Sequence, residues 1–362
     1  MGKHSSQARR VTITDIAAAA GVSISTVSRV LSGSRPVGPE LHRKVMEAAG
    51  RLSYRPNLAA KAMKGQSMQT IGIIVPDITS PFFASIVAGA LHEARKHNQQ
   101  VIVASSERDI SVEESILAQF AELYIDGLVF SPVTAPTPEP EAGFVEGFPT
   151  VIAARRSVVA GCPHVYTDNV QGAYTATKYL LKLGRQRVAF LAGFWKPPCT
   201  AQEIDEASLQ PRAGAFSTLD RFTGYKKALL EEGIPLDLDL VVMSGYDFRA
   251  GFEAARELTA RLVPVHAILA ANDLVAAGAL SFLRHQGIRV PEDVSVIGYD
   301  DGIAAPLTAP DLTSVHQDDF GIGQRSVVML DRMIAGEAPD DEVVGTQLVI
   351  RGSTIHRTTL GD

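Results

Sequence analysis

A chain of 362 residues is long enough for two or three domains, and its 46% hydrophobic and 20% charged residues are ordinary for a globular protein. No apolar run reaches the roughly 18 residues of a membrane span, and the polar start MGKHSSQARR lacks the apolar core of a secretory signal. These features argue against membrane and secreted proteins. They predict a cytoplasmic protein in which Cys162 and Cys199 are free thiols.

The charge is divided unevenly along the chain. Residues 1–64 contain eleven Lys and Arg against three Asp and Glu, a net charge of +8, although the whole chain carries −6. The remaining residues contain 23 basic against 37 acidic side chains, a net charge of −14. A basic N-terminal segment on an acidic body indicates a polyanionic partner such as nucleic acid for that segment. The alternative is a solvated basic arm.

The stretch TITDIAAAAGVSISTVSRVLS, residues 12–32, predicts two short helices separated by a turn. Thr12 is a candidate N-cap with Asp15 three residues later, which is the spacing of a capping box. Gly21 is placed to end the first helix, because glycine adopts positive φ without a Cβ clash. A third helix is expected from Pro39 to about residue 52, which completes a minimal helix-turn-helix domain.

The second helix follows Ser23, which can cap it, and has two different faces. The apolar face, predicted to be buried, consists of Val27, Val30 and Leu31. The opposite face consists of Ile24, Ser25, Ser28 and Arg29. Small hydrogen-bonding residues and one arginine on a free helix face suit insertion into the major groove of DNA.

A short segment from Tyr54 to Gly65 follows the helix-turn-helix domain. Pro56 prevents continuation of the third helix, and Asn57 can cap a new helix that Gly65 ends. A helix this short is marginal in water. We therefore expect it to form only when something stabilises it, and an ordinary interdomain linker is the alternative.

From Ile71 onward, short apolar strands alternate with amphipathic helices. Strands are expected at 71–75, 101–105, 127–130, 150–153, 188–192, 240–243, 267–270 and 294–298. Helices are expected at 81–97, 112–123, 170–183, 221–232, 249–262 and 273–286. The alternation is typical of doubly wound parallel sheets covered on both faces, here in two lobes, with ligands bound beyond the carboxyl ends of the strands. Residues 131–148 and 194–220 are predicted to be surface loops.

Eight motifs occur in a fixed order along the chain: TITDIAAAAGVSISTVSRVLSG, YRPNLAAKAM, PDITSPFF, TDNVQGA, RFTGY, ANDLVAAGAL, VIGYDD and LTSVHQ. Together they resemble the lactose-repressor (LacI/GalR) family of bacterial transcription regulators, over about residues 11–354. The resemblance implies an α/β protein with an all-α helix-turn-helix domain, a hinge helix, and a two-lobed body of doubly wound parallel sheets like periplasmic binding proteins. It implies a homodimer that binds a near-palindromic DNA operator as a repressor. A small effector, a sugar or sugar derivative, would change the affinity.

The pattern and the resemblance together give the expected domain boundaries. They are a disordered basic tail at 1–11, the helix-turn-helix domain at 12–55, the hinge helix or linker at 56–67, and the effector-binding and dimerisation domain at 68–362. The first lobe is expected at about 68–186 and 317–340, and the second at about 187–316 and 341–358. The chain would cross between the lobes near 185–187, 315–318 and 340.

The resemblance also assigns DNA contacts. The residues expected to contact base edges are Ile24, Ser25 and Arg29, and Arg29 suits the two acceptors of guanine. The residues expected to contact phosphates are Thr12, Ser23, Thr26 and Ser32. The hinge residues expected at the minor groove are Asn57, Ala60 and Met63, and Met63 stands where the family usually has an intercalating leucine.

For the effector, the resemblance assigns Phe82, Phe83, Arg155, Arg221, Tyr246, Asn272 and Asp300. Some of them have a plainer alternative: helix capping for Asn272 and Asp300, a core position for one of the two phenylalanines, and a surface helix position for Arg221. The chain departs from the family at Ala154, where an aspartate usually precedes the arginine. That change removes a frequent acceptor for a sugar hydroxyl.

The leading hypothesis is therefore an effector-controlled transcriptional regulator. A solute-binding protein of a transport system is the alternative, which the body would suit and which the basic N-terminal segment and the absent signal argue against. No P-loop, dinucleotide-binding glycine motif, nucleophile elbow or metal-ligand spacing is present in the sequence. We accordingly expect no enzymatic activity, no cofactor and no metal.

Overall fold

The structure is a computed structural model that describes residues 11–32, 36–54, 67–133, 148–156, 161–194, 200–209 and 217–356. The chain divides into two units, residues 1–68 and residues 69–362. Within the described ranges, no helix is both long and apolar enough to cross a lipid bilayer.

The described part of the first unit contains three helices, α1 (Ile13–Ala20), α2 (Ile24–Ser32) and α3 (Pro39–Arg51), at the positions that the sequence predicts. Thr12 and Asp15 form the predicted capping box, and Gly21 ends α1 with a left-handed φ of 65°. The helices enclose a small apolar core of Ile16, Ala17, Val27, Val30, Val45, Ala48 and Ala49. We call residues 11–54 of this unit the head.

The second unit, the body, has twelve strands among its described residues: β1 (Thr70–Val75), β2 (Gln100–Ser105), β3 (Gly127–Phe130), β4 (Thr150–Ala153), β5 (His164–Thr167), β6 (Val188–Gly193), β7 (Val241–Ser244), β8 (Ala267–Ala270), β9 (Ser295–Asp300), β10 (Thr313–Gln317), β11 (Glu342–Val344) and β12 (Thr346–Val349). They form two six-stranded sheets, ordered β11-β5-β4-β3-β1-β2 in the first lobe and β12-β10-β9-β8-β6-β7 in the second. The pairs are parallel except β10 with β12. Strands β3, β4 and β8 are buried at every residue, which explains their continuous apolar sequences.

In the part of the body that the structure describes, eight helices cover the sheets: α4 (Pro81–Lys96), α5 (Ile110–Glu122), α6 (Asn169–Lys182), α7 (Ala201–Ser208), α8 (Ser217–Glu231), α9 (Phe248–Ala260), α10 (Asp273–His285) and α11 (Asp319–Ile334). Six of them lie close to their predicted positions. Strands β5, β10, β11 and β12 and helices α7 and α11 were not among the predicted elements. The edge strands β11 and β12 are only three and four residues long, so they carry too little pattern to be distinguished from loops.

The first crossing between the lobes corrects the predicted boundary. Strand β5 ends the first-lobe segment, and Asp168 caps α6, which packs against α8 and the second sheet. A Cβ at Gly224 of α8 would collide with the backbone oxygen of Val170, so the two helices are in close contact. The chain therefore crosses at Asp168 and not near 185–187, because a helical pattern does not reveal which sheet its helix covers. The other crossings lie at Asp318 and Gly345.

Part of the predicted loop at 194–220 is helical. Thr200 and Glu203 form a capping box at the start of α7, and Ile204 is buried in the core of the second lobe. The prediction of a surface loop was wrong here because two helical turns with one buried side chain give almost no periodicity. Most of the other predicted loop, residues 134–147, lies outside the described residues.

Candidate nucleic-acid interface and ligand cleft

Helix α2 separates its side chains by chemistry. Val27 and Val30 are buried in the core of the head, while Ile24 is 47% exposed and Ser25 and Arg29 are exposed. The three residues predicted to contact base edges therefore share the free face of one helix. That arrangement presents an apolar group, a hydroxyl and a guanidinium to the outside, which are groups able to contact base edges in a major groove.

Three of the four hydroxyls predicted to contact phosphate, those of Thr12, Ser23 and Thr26, lie at helix N-termini. The Thr12 hydroxyl donates to Asp15 Oδ2 over 2.7 Å, and the amide of Asp15 donates to Thr12 Oγ1 over 3.4 Å. Ser23 Oγ lies 2.8 Å from Ser25 Oγ and 2.9 Å from Thr26 Oγ1, and it accepts the amide of Thr26. The first amides of a helix favour anions, so these positions suit phosphate oxygens.

Four of the residues predicted to contact DNA have side chains outside the part of the chain that the structure describes. Ser32 ends α2, and its side chain is not among the described ones. The predicted hinge residues Asn57, Ala60 and Met63 lie between residues 55 and 66, outside the described residues.

In the body, Arg221 is buried and its guanidinium is held from several sides. Its Nε donates to Asn169 Oδ1 over 2.8 Å, and its Nη1 donates to the carbonyl of Ala271. The guanidinium carbon lies 3.7 Å from the ring centroid of Tyr299. Arg221 therefore does not occupy a surface helix position, the plainer alternative. It is a fixed cation beside the carboxyl ends of β8 and β9.

Asn272 does cap a helix, and it also fixes its neighbour. Its Oδ1 accepts the amide of Val275 over 2.8 Å, and its Nδ2 donates to the carbonyl of Tyr246 over 2.9 Å. The Tyr246 hydroxyl lies 2.8 Å from Thr218 Oγ1. A ligand contact by Asn272 would use its second amide hydrogen, since the capping role occupies the oxygen.

Asp300 ends β9 in a strained conformation and does not cap a helix. Its φ is 102°, and its Oδ1 accepts from Gln317 Nε2 over 2.6 Å. Burial raises the pKa of Asp300 well above its usual range, although the nearby Arg221 opposes the shift. Behind it, Asp273 accepts from the Ser314 hydroxyl over 2.5 Å and from the amide of Gly302 over 2.7 Å. Burial raises the pKa of Asp273 to about 7.

One of the two phenylalanines at the start of α4 lies in the core, which was the alternative to ligand contact for one member of this pair. Phe83 is buried in the core of the first lobe, and Phe82 is partly buried with its ring edge-on to Phe83 at 5.2 Å between centroids. On the same helix, the Ser85 hydroxyl donates to Asp319 Oδ1 over 2.9 Å. Repulsion from Asp319 makes a smaller contribution to the raised pKa of Asp300.

The predicted Arg155 is buried just after β4, and the residue after it reaches the other lobe. Arg156 Nη2 donates to Asp220 Oδ1 of α8 over 2.9 Å. Burial raises the pKa of Asp220 to about 6, against the lowering effect of Arg156. Residue Ala154, where the family usually has an aspartate, adopts a left-handed φ of 70°.

A cavity of about 640 Å³ lies beside Tyr246. Its walls include Phe194 and Ser244 from the second lobe and Arg108 from the first. The volume falls within the ~300–1,000 Å³ that is common for small-molecule sites. Among the residues that the structure describes, no group of three or more His, Cys, Asp or Glu side chains could hold a metal ion.

Three polar residues of this region were missed from the sequence: Gln317, Arg156 and Asp220. Gln317 ends the motif LTSVHQ, and the other two are adjacent to the predicted Arg155 and Arg221. Four of the predicted effector residues lie close together. Asn272 donates to the carbonyl of Tyr246, and Arg221 donates to the carbonyl of Ala271, the residue before Asn272. Arg221 also stacks on Tyr299, the residue before Asp300. The structure places Phe83 in the core of the first lobe.

Comparison with known proteins identifies both units. The family model "Bacterial regulatory proteins, lacI family" matches residues 12–57, and "Periplasmic binding protein-like domain" matches residues 177–354. The chain is 31% identical to the HTH-type transcriptional regulator RegA of Clostridium saccharobutylicum, over 95% of this chain and 99% of that protein. The chain belongs to the LacI family. It is also 30% identical to catabolite control protein A of Priestia megaterium, over 92% and 96% of the two chains.

Solved structures of LacI-family proteins share the fold. A complex of the transcriptional regulator CelR with cellobiose has a TM-score of 0.69 and 31% identity, over 95% of this chain and 100% of that one. The lac repressor dimer bound to operator and the anti-inducer ONPF has a TM-score of 0.80 and 25% identity, over 96% and 100%. The predicted fold and family are confirmed, and the protein is a DNA-binding transcriptional regulator and not a solute-binding protein of a transport system.

Proposed function

We propose that this LacI-family regulator is a homodimeric repressor that binds a near-palindromic operator and that a sugar or sugar-derived effector controls its operator affinity. The observation that carries the proposal is the division of α2, which buries Val27 and Val30 and exposes Ile24, Ser25 and Arg29. A short helix with these exposed groups can contact bases directly, and the net charge of +8 in residues 1–64 supplies phosphate attraction.

Within that proposal, Arg29 donates to guanine, while the hydroxyls of Thr12, Ser23, Thr26 and Ser32 contact phosphates and orient the helix. Two copies of the head are needed because one short helix contacts only a few bases, and two-fold symmetry gives a near-palindromic site. The lac repressor, a relative of 25% identity, is a dimer on its operator. We extend the proposal to the hinge, where Asn57, Ala60 and Met63 would contact the minor groove, with Met63 as an apolar wedge.

The effector is proposed to lie between the lobes, where Arg221, Asn272 and Asp300 converge. Sugar hydroxyls need donors and acceptors fixed in place, and the bonds to Asn169, Tyr246 and Gln317 provide that fixation. The aromatic side chains Phe82 and Tyr246 can face the apolar side of a sugar ring. Arg155 would approach from the first lobe. A solved structure of the relative CelR is a complex with cellobiose, which supports a saccharide as the class of ligand.

We assign the cleft to binding without turnover, and the protein to the bacterial cytoplasm, where its DNA partner lies. Closure of two lobes around a ligand would change the spacing of the two heads of a dimer. That coupling can release or promote DNA binding, since linkage permits both signs.

Operator selection tests the DNA part. Purified full-length protein is mixed with random duplexes, bound molecules are recovered over repeated rounds, and the stoichiometry of the final complex is measured by sedimentation. We expect an inverted repeat bound by two chains. Failure to prefer any selected duplex over random DNA would refute the proposal, and one chain per site would refute the dimer.

A thermal-shift screen of mono- and disaccharides tests the effector part, followed by operator binding with the best ligand. Arg221→Lys keeps the charge but loses the planar donors, so we expect it to abolish the response while operator binding remains. Arg187→Lys is the matched control, because Arg187 pairs with Asp237 at the opposite, amino end of β6. An equal loss of response in both variants would remove Arg221 from the site, and release of a chemically altered sugar would contradict binding without turnover.

A further inference from the structure

An ion pair joins the two lobes of the body. Arg156 follows β4 of the first sheet, and Asp220 belongs to α8 of the second lobe, with 2.9 Å between Arg156 Nη2 and Asp220 Oδ1. The Arg156 side chain is 42% exposed and the Asp220 side chain only 10%. The guanidinium of Arg156 also lies 5.5 Å from the ring centroid of Tyr166 in β5. Arg156 is therefore held on the first lobe by its contact with Tyr166, and Asp220 is the buried member of the pair on the second lobe.

The pair lies next to two arginines assigned to the effector site from opposite lobes. Arg156 follows Arg155 in the first lobe, and Asp220 precedes Arg221 in the second. Because Arg221 is itself held by Asn169 and the carbonyl of Ala271, helix α8 presents Asp220 at a defined position. A bond from Arg156 to Asp220 therefore sets the position of one arginine-bearing segment relative to the other.

The burial of Asp220 limits what this pair can add to stability. Removing a carboxylate from water is costly, and a pair of this kind seldom repays the cost when apolar residues could fill the space. The raised pKa of Asp220, near 6, shows that burial outweighs the attraction of Arg156 and Arg221. Buried ionisable groups that destabilise the fold are concentrated where they serve a function. Asp220 also places a carboxylate beside segment 154–156, where Ala154 replaces the usual aspartate of the family.

We propose that Arg156 and Asp220 are positioning residues of the effector cleft. In the first half of the proposal, their ion pair holds the first-lobe segment that carries Arg155 against the second-lobe helix that carries Arg221, and so fixes the separation of the lobes. In the second half, that separation sets the operator affinity of the ligand-free protein; only this half rests on the proposed function, because the lobe separation can be measured without any DNA or effector.

Spin-label distances test the first half. Cys162 and Cys199 are replaced by serine in the full chain, and labels are attached to cysteines at the exposed positions Ala118 on α5 and Arg284 on α10. Distance distributions are then compared for five proteins: the parent, Arg156→Gln, Asp220→Asn, the double variant and Arg156→Lys. We expect the first two variants to broaden or shift the distribution equally, the double variant to add nothing further, and Arg156→Lys to remain near the parent.

The control is Arg187→Gln. Arg187 has a comparably exposed side chain, at 34%, and pairs with Asp237 inside the second lobe. Its loss should leave the distance distribution unchanged. Distributions that do not differ between the parent and the Arg156 and Asp220 variants would overturn the proposal, as would effects of the two single changes that simply add in the double variant.

Operator affinity tests the second half, with the duplex obtained by selection as the probe. We expect a change of about five-fold or more, the same in Arg156→Gln, Asp220→Asn and the double variant. A changed lobe distance with unchanged operator affinity would overturn the claim that the pair sets the DNA-binding state. If no duplex is ever selected, the proposed function fails, while the distances still decide whether the pair positions the lobes.

Discussion

The head and the cleft use polar side chains in opposite ways. In the head, Ser23, Ser25 and Thr26 are bonded to one another within three residues of sequence and remain near the surface. In the cleft, Arg221 bonds to Asn169 across 52 positions, and Arg156 bonds to Asp220 across 64. The head thus orients its polar groups by local helix geometry, whereas the cleft requires the whole body to be folded.

The energetic consequence differs as well. A hydroxyl at a helix N-terminus stabilises the helix that presents it. In the head, the hydroxyls proposed to contact DNA therefore also stabilise the fold. Burial raises the pKa of Asp220 to about 6 and of Asp273 to about 7, so these carboxylates oppose stability at neutral pH. Four substitutions, each with a matched control, test this difference between the head and the cleft.

The largest effect is expected from Ile16→Ala in the head. Ile16 is fully buried, and a truncation of this kind costs about 2–5 kcal/mol. A domain this small has little more stability than that to lose. The head should therefore unfold while the body stays folded. Hydrogen exchange of the full chain should show loss of protection confined to residues 12–54, together with loss of DNA binding.

Ile268→Ala is the control for that experiment, because Ile268 of β8 is 1% exposed in the core of the second lobe. The same deletion should lower the unfolding temperature of the body while it leaves protection in the head. Protection lost in both units from either change would show that head and body unfold together, and the contrast between them would fail.

Asp220→Asn tests the cost of a buried carboxylate through pH. The pKa of Asp220 is raised from 3.8 to about 6 in the folded protein, which corresponds to about 3 kcal/mol. The folded state binds the proton more tightly, so this group favours folding below pH 4 and loses that contribution as pH rises through 6. The free energy of unfolding of the wild type, relative to Asp220→Asn, should fall by up to this amount between pH 4 and pH 7.

The matched control is Asp293→Asn. Its salt bridge and hydrogen bonds with Arg289 lower the pKa of Asp293 to about 2, so its contribution should change in the opposite direction. That contribution is present above pH 4 and is lost as pH falls toward 2. Denaturant titrations at several pH values measure both. A wild-type advantage that does not decline between pH 4 and pH 7 would mean that Arg156 compensates fully for the burial of Asp220.

Local geometry explains why the head could be predicted closely from the sequence. The capping pair Thr12 and Asp15, the positive φ of Gly21 and the start of α3 at Pro39 each depend on residues within a few positions. Helix periodicity then separates the core from the free face of α2 without any long-range contact. The same reasoning predicted eight of the described strands and most of the described helices of the body, because buried parallel strands are continuously apolar.

The remainder depends on contacts that no local pattern encodes. The sequence predicts α6 but not that it covers the second sheet, since that follows from the close approach of Gly224 to the backbone of Val170. Arg221, Asn272 and Asp300 could be predicted from the family motifs. Arg156 and Asp220 could not, because their pairing exists only when the two lobes meet.

Arg29→Ala sharpens the contrast on the DNA side. Arg29 is exposed, so its loss should leave the head folded and cost about 1–3 kcal/mol of affinity for the selected operator through lost contacts to guanine. Binding to random DNA should decrease far less. Arg43→Ala is the control, since Arg43 is an exposed arginine of α3 paired with Glu47. Equal losses on operator and random DNA, or equal losses in the two variants, would contradict base contact by Arg29.

The smallest effect, and the most direct comparison, comes from one motif that occurs in both regions. Thr12 caps α1 with Asp15, and Thr200 caps α7 with Glu203, each through reciprocal side-chain and backbone bonds. Replacement of either threonine by alanine should cost about 1 kcal/mol of stability in its own unit. Only Thr12→Ala should also weaken DNA binding, because only that hydroxyl is assigned to a phosphate, and the weakening should be similar on operator and random DNA. Affinity titrations of both variants at several salt concentrations separate the two roles. If Thr12→Ala is destabilised but binds DNA as tightly as Thr200→Ala does, the Thr12 hydroxyl only caps α1 and does not contact phosphate.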